Sequence, residues 1–197
     1  MASDPVLTTL KHLWLHLEPL HLPMALMGGL SIAVWKHPRA TRDVDLLINP
    51  GTLDANVILQ ALEKAGFRRK RPQPVLQVGT NRFLQLTYEA PGTFLDIQAD
   101  LLFADSVYQK QALARRVSTR LPDLDTEIFV LSCEDLILHK LLAGRILDKA
   151  DVVALLRANL KRLDMTYLLK WLDQLDLSAA WREVWVEAFP GSEPPGA

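Results

Sequence analysis

Two carboxylates stand where a strand is about to be buried. In RATRDVDLLI, which runs from Arg39 to Ile48, Asp43 and Asp45 lead into an apolar run. Side chains alternate across a strand, so the two acids share one face while Val44 and Leu46 take the other. Ionised carboxylates are costly to bury without a cation, and two on one face repel each other. Either one is protonated or a cation lies between them. A divalent metal with oxygen ligands satisfies both at once. The plain alternative is an exposed strand end with both acids in solvent.

Neighbouring segments strengthen the metal reading. Gly28-Gly29-Leu30-Ser31 falls between the apolar run MALM and the helical pattern LSIAVWKH. Glycines there let backbone approach a ligand closely, and a helix N-terminus offers N–H groups and a positive dipole end. A tight turn with a serine cap is the ordinary alternative. In FLDIQADLL, Asp96, Gln98 and Asp100 share a strand face, so either Asp96 or Asp100 can serve as a third acid. Asp96 is favoured because it lies between Leu95 and Ile97. Phosphate-gripping backbone, a paired acid and a distant third acid can hold two Mg²⁺ ions against a nucleoside triphosphate.

These residues need a scaffold. The 197 residues, 49% hydrophobic, are enough for one domain with a helical appendage. The net charge of −1 argues against a protein that coats nucleic acid non-specifically. A single cysteine, Cys133, precludes an intrachain disulfide and reads as a small buried residue. The N-terminus lacks the pattern of a signal peptide, and no stretch approaches the roughly 18 apolar residues of a membrane span. A soluble, cytoplasmic protein with no membrane partner is expected.

Periodicity predicts a mixed α/β half, residues 1–131, followed by a helical region, 132–190, and a disordered tail, 191–197. PVLTTLKHLWLHLEPLHL is spaced as an amphipathic helix, MALM as a buried strand, and TLDANVILQALEKAGF as a helix ending at Gly66. RRKRPQP reads as a polar break. RFLQLTYEA and TFLDIQADLLF flank Pro91-Gly92 as an antiparallel hairpin. SVYQKQALARRV reads as a short helix and TEIFVLS as a last strand. Four helical patterns follow from Ser132, which with Asp135 approximates a capping box.

MGGLSIAVWKHPRATRDVDLLI resembles the signature of polymerase-β-type nucleotidyltransferases: a Gly-Gly-x-Ser loop, an Arg-x-Thr step and Asp-x-Asp. It is similar in particular to the branch containing abortive-infection (type IV toxin–antitoxin) toxins and uncharacterised relatives. The resemblance covers about Leu26 to Leu156 and includes EDLILHKLLAGRILDKADVVAL, with Lys140, Asp148 and Asp151. It implies a mixed sheet with flanking helices. Gly28, Gly29, Ser31, Arg39 and Thr41 would bind the nucleotide. Asp43, Asp45 and Asp96 would hold two Mg²⁺, or Mn²⁺, with Asp96 helping to deprotonate the acceptor hydroxyl. Lys140 would contact phosphate, and Asp151, with Asp148 as rival, would position it. The implied activity is transfer of a nucleoside monophosphate from a nucleoside triphosphate such as ATP to a tRNA 3′ end or a protein, releasing pyrophosphate, with a cognate antitoxin as partner. A small-molecule acceptor of aminoglycoside type and a non-catalytic nucleotide-binding partner are the alternatives.

Without the resemblance, Lys140 is a lysine among leucines whose stem covers the core edge. The basic run Arg68 to Arg71 is a solvated loop or a grip on RNA phosphates. His37 and His139 lack partners at metal-binding spacing and suit a helical surface or core edge. Trp171, Trp181 and Trp185 have core-like helical spacing or form a partner face.

Overall fold

A computed structural model describes residues 4–120 and 127–196. The chain divides into two compact units, one formed by Met1–Leu30 and Ala40–Leu131, the other by Ser31–Arg39 and Ser132–Ala197.

The first unit is built on a mixed sheet. Helix α1 (Pro5–Leu17) starts at Asp4, whose carboxylate accepts from the Val6 N–H at 2.8 Å, and buries Leu10, Leu13 and Leu17. Then come β1 (Met24–Met27), helix α2 (Gly28–Val34), which from Ser31 on is assigned to the second unit, β2 (Asp43–Ile48), helix α3 (Ala55–Lys64), β3 (Arg68–Arg69), β4 (Val75–Val78), β5 (Asn81–Glu89), β6 (Asp96–Phe103), helix α4 (Val107–Ala114), β7 (Val117–Arg120) and β8 (Glu127–Val130). Among the described residues eight strands form one sheet in the order β3-β5-β6-β2-β1-β8-β7, with β4 also paired to β5. β5 and β6 form the expected antiparallel hairpin. β2 lies inside the sheet, antiparallel to β1 and parallel to β6.

Alternation along these strands explains what is buried. Val44, Leu46 and Ile48 share a face with Ala99, Leu101 and Phe103 across the β2–β6 pairing, and all six are buried. Helix α1 packs on β2, β6 and α3. Each large apolar side chain removed from water contributes roughly 1.5–3 kcal/mol, so this layer stabilises the strand that carries the acids. The opposite face is apolar at Leu47 and Leu102 and turns polar at Asp45, Asp100, Asp43 and Gln98.

The second unit is helical: α5 (Cys133–Ala143), α6 (Ile146–Asn159), α7 (Met165–Gln174) and α8 (Ser178–Ala188). The Asp135 N–H donates to Ser132 Oγ at 3.1 Å and the Ser132 hydroxyl donates to Asp135 Oδ2 at 2.8 Å. The Tyr167 hydroxyl donates to Asp135 Oδ1 at 2.7 Å, tying α7 to the start of α5. Gly144, at φ 66°, ends α5 in the left-handed conformation that favours glycine, its N–H on the Lys140 carbonyl. Cys133 is buried, and burial pushes its thiol up to about 12. The three tryptophans Trp171, Trp181 and Trp185 are core residues.

Three elements differ from the periodicity. Arg68 and Arg69, read as part of a polar break, pair with Thr87 and Leu86 of β5. β4 and β7 carry no strong alternation and owe their conformation to pairing with β5 and β8. In the segment expected as a disordered tail, Pro194 and Pro195 are half-buried and line a small cavity with Leu169, Leu172 and Trp181. His139 is buried in α5, and burial lowers its pKa to about 4. The folded protein therefore holds a neutral imidazole that the unfolded chain protonates near pH 6.5. Its stabilising effect is present above that pH and is lost as pH falls towards 4, by up to about 1.4 kcal/mol per pH unit. Urea unfolding followed at pH 7, 6, 5 and 4 should show this fall, and it should be shallower in His139→Gln.

Candidate active site

The acids of β2 are placed by register. Met27, the last residue of β1, lies opposite Asp45, and Gly28 follows at φ 68° as the first residue of α2. A Cβ built on Gly28 would lie 1.9 Å from Asp45 Oδ2. Only glycine tolerates both the left-handed backbone and that carboxylate. The strand passes directly into the helix, with no intervening loop. Gly29 lies in its first turn, and Ser31 is fully buried.

Asp43 and Asp45 are half-buried on one face of β2, as alternation requires. The Thr41 hydroxyl donates to Asp43 Oδ1 at 2.6 Å, so Thr41 steadies the carboxylate. Parallel pairing sets Asp45 opposite Asp100 and Asp43 opposite Gln98. The Asp100 carboxylate accepts from Gln98 Nε2 at 2.7 Å and from Gln85 Nε2 at 3.2 and 3.3 Å. Burial pushes the Asp100 pKa above its ordinary value. The two amide hydrogen bonds and the Lys70 charge pull it down, while the Asp43 charge adds to the rise. A carboxyl held at raised pKa beside other carboxylates accepts protons more readily than a surface aspartate.

Asp96, the favoured third acid, is not brought to this pair. It lies opposite Glu89 of β5, before β2 begins, and its exposed carboxylate accepts from Arg68. Leu95, one of the flanking residues that favoured it, is itself exposed. Asp100, the rival, occupies the position that register assigns beside Asp45. Arg69 pairs with Glu63, and Lys70 donates to Gln98 Oε1, so three residues of the basic run are committed to side chains of their own unit.

The second unit holds a charged cluster around the buried Lys140, Asp148 and Asp151. Lys140 Nζ donates to Asp148 Oδ1 at 2.8 Å and lies 2.9 Å from Asp151 Oδ2, so it binds both rival aspartates at once. Arg39 Nε and Nη2 donate to the two oxygens of Asp151 at 2.8 and 3.0 Å. Arg145 Nε and Nη2 donate to Asp148 at 2.6 and 3.2 Å. Burial alone would raise the Asp148 pKa, but the Arg145 and Lys140 hydrogen bonds outweigh it and lower the value. Lys140 is thus a buried ion-pair centre, with its ammonium on carboxylates. Arg145, Gln98 and Gln85 escaped the sequence reading. Gln98 and Gln85 were visible only as polar phases of alternating strands, and Arg145 only as a charge beside a helix start.

Carboxylates of β2 and β6 thus lie on one sheet face, with a glycine at the β1–α2 join against Asp45. The chain belongs to the nucleotidyl transferase AbiEii toxin family of type IV toxin–antitoxin systems, whose family model matches residues 10–190. No curated protein matches it in sequence. Similar folds are found in a nucleotidyltransferase-like antigenic protein of Paracoccidioides brasiliensis, at 21% identity and TM-score 0.52, over 90% of this chain and 93% of that one. The antibiotic-resistance factor ANT(2'')-Ia in solution matches at 16% identity and TM-score 0.56, over 94% and 96%. The same factor in complex with adenylyl-2''-tobramycin matches at 15% identity and TM-score 0.52, over 91% and 98%. At such identities the likeness shows the fold.

Two substitutions test the geometry. Gly28→Ala should cost about 2 kcal/mol or more in urea unfolding, because the new methyl meets both strained backbone and the Asp45 carboxylate. Lys140→Met leaves Asp148 and Asp151 buried without their shared cation and should cost about 3–5 kcal/mol. Unchanged unfolding midpoints would show that these carboxylates move aside freely.

Proposed function

We propose that this nucleotidyltransferase transfers a nucleoside monophosphate from a nucleoside triphosphate to a hydroxyl of a macromolecular acceptor, a tRNA 3′ end or a protein, with Mg²⁺ as cofactor. The observation that carries the proposal is the register of Asp45 with Asp100, beside Asp43, on one sheet face. Among the described residues no three acidic, histidine or cysteine side chains close around a metal ion. Mg²⁺ does not require such a cage: it is commonly held by one or two carboxylates together with substrate phosphates and water. Asp43 and Asp45, hard oxygen donors fixed by Thr41 and by the fit against Gly28, suit that role; Mn²⁺ takes similar donors. When bound, Mg²⁺ offsets phosphate charge and makes the acceptor hydroxyl more acidic.

The chain's own residues account for the remaining steps. Gly28 and Gly29 present backbone to the triphosphate. Asp100, in place of Asp96, accepts the hydroxyl proton. The hydroxyl oxygen bonds to the α-phosphorus as the bond from that phosphorus to the bridging oxygen breaks, and the electron pair leaves with pyrophosphate. Arg39, Lys140, Asp148, Asp151 and Arg145 act as one charged cluster that orders α6. Family membership supports a cognate antitoxin as the biological partner. A small-molecule acceptor is the second reading, favoured by the likeness to ANT(2'')-Ia, whose structure carries adenylyl-2''-tobramycin.

Incubation with each α-³²P-labelled nucleoside triphosphate, Mg²⁺ and total tRNA, protein extract or tobramycin separates these acceptors. Label should enter tRNA or protein with one preferred base, and Asp45→Asn and Asp100→Asn should show none while melting within about 2 °C of the parent. Label on tobramycin alone would select the second reading. Label that persists in both variants would remove the proposed mechanism.

A further inference from the structure

The face that carries the carboxylates continues across the sheet. Lys70 continues the β3 strand, and its N–H donates to the Gln85 carbonyl at 3.1 Å. Gln85 lies opposite Asp100, and Asp100 opposite Asp45. A parallel row runs through Arg68, Thr87, Gln98 and Asp43, each residue opposite the next. Two polar rows thus lead from the β3 end of the sheet to the paired acids.

Gln98 joins the rows. Its Oε1 accepts from the Lys70 ammonium and its Nε2 donates to Asp100 Oδ2 at 2.7 Å. An ammonium only donates and a carboxylate only accepts, so a carboxamide between them has a single satisfied orientation. Lys70 therefore sets which end of Gln98 faces Asp100. Reversed, the amide would set its oxygen against the carboxylate. Gln85 lacks this control: its bonds to Asp100 are longer, at 3.2 and 3.3 Å, and its buried Oε1 has no hydrogen-bond partner among the described residues.

We propose that Lys70 is a positioning residue for nucleotidyl transfer, acting through Gln98 to hold the Asp100 carboxylate in one orientation beside Asp45. It rests on the reading of Asp43, Asp45 and Asp100 as the catalytic carboxylates. Lys70 itself contacts neither nucleotide nor acceptor. Its effect falls on turnover, while nucleotide affinity is left to the Gly28 side of the sheet.

The test uses the full chain and the variants Lys70→Met, Lys70→Arg, Gln98→Leu and the Lys70→Met/Gln98→Leu pair. Lys70→Met should lower kcat about 10- to 100-fold, as loss of a partner behind an active-site ligand does, with KM for the nucleotide within about twofold. Lys70→Arg should restore most of the loss, and the double variant should be no worse than Gln98→Leu alone. Binding of a non-hydrolysable nucleoside triphosphate with Mg²⁺, measured by calorimetry, should be unchanged. A readout independent of turnover is the Gln98 side-chain amide in ¹⁵N NMR, whose two protons should move towards free-glutamine positions in Lys70→Met. Loss of nucleotide affinity matching the loss of kcat/KM would overturn the proposal and make Lys70 a phosphate contact. Unchanged kcat, additive losses or an unmoved Gln98 amide would also overturn it. If the unsubstituted protein transfers no nucleotide, the reading of the site fails instead, and the NMR signal alone decides whether Lys70 orients Gln98.

Discussion

Everything at the candidate site depends on parallel pairing of β2 with β6. That pairing sets Asp45 directly opposite Asp100 and Asp43 opposite Gln98, near the polar end of a sheet whose other face is buried. Carboxylates this close repel, and burial adds to the cost. The surroundings offset that cost locally. Thr41 donates to Asp43, two carboxamides donate to Asp100, and Lys70 stands behind one of them. The raised pKa of Asp100 is the part of the cost that remains.

Gly28 solves a different problem at the same place. The chain must turn from β1 into α2 without a loop, and the Asp45 carboxylate lies against the turn. A side chain would fill the space that the acid needs. Backbone and carboxylate are therefore side by side.

The Lys140 cluster follows another logic. Asp148 and Asp151 are almost wholly removed from solvent, and three cations satisfy them. Ion pairs of this kind are seldom net stabilising compared with apolar packing, yet removing one partner is costly. In this helical unit they are ion pairs fixed by the packing of α5 on α6.

Much of this was legible in the amino-acid order. Alternation placed Asp43 and Asp45 on one face, the apolar run marked their strand as buried, and Pro91-Gly92 marked the β5–β6 hairpin. Helix periods and the Ser132 cap located the C-terminal helices. These are local properties, dictated by backbone geometry and side-chain size. The choice of Asp100 over Asp96 was not local: both share a face of one strand, and only the offset between β2 and β6 decides which one meets Asp45. The same holds for Lys140, which binds Asp148 and Asp151 together because α5 and α6 pack side by side, and for Lys70, whose role depends on β3 pairing with β5. Sequence by itself determined which faces of the strongly patterned strands and helices are polar and roughly where those elements begin. Register between strands and packing between helices, set by contacts distant along the chain, decided which polar groups meet.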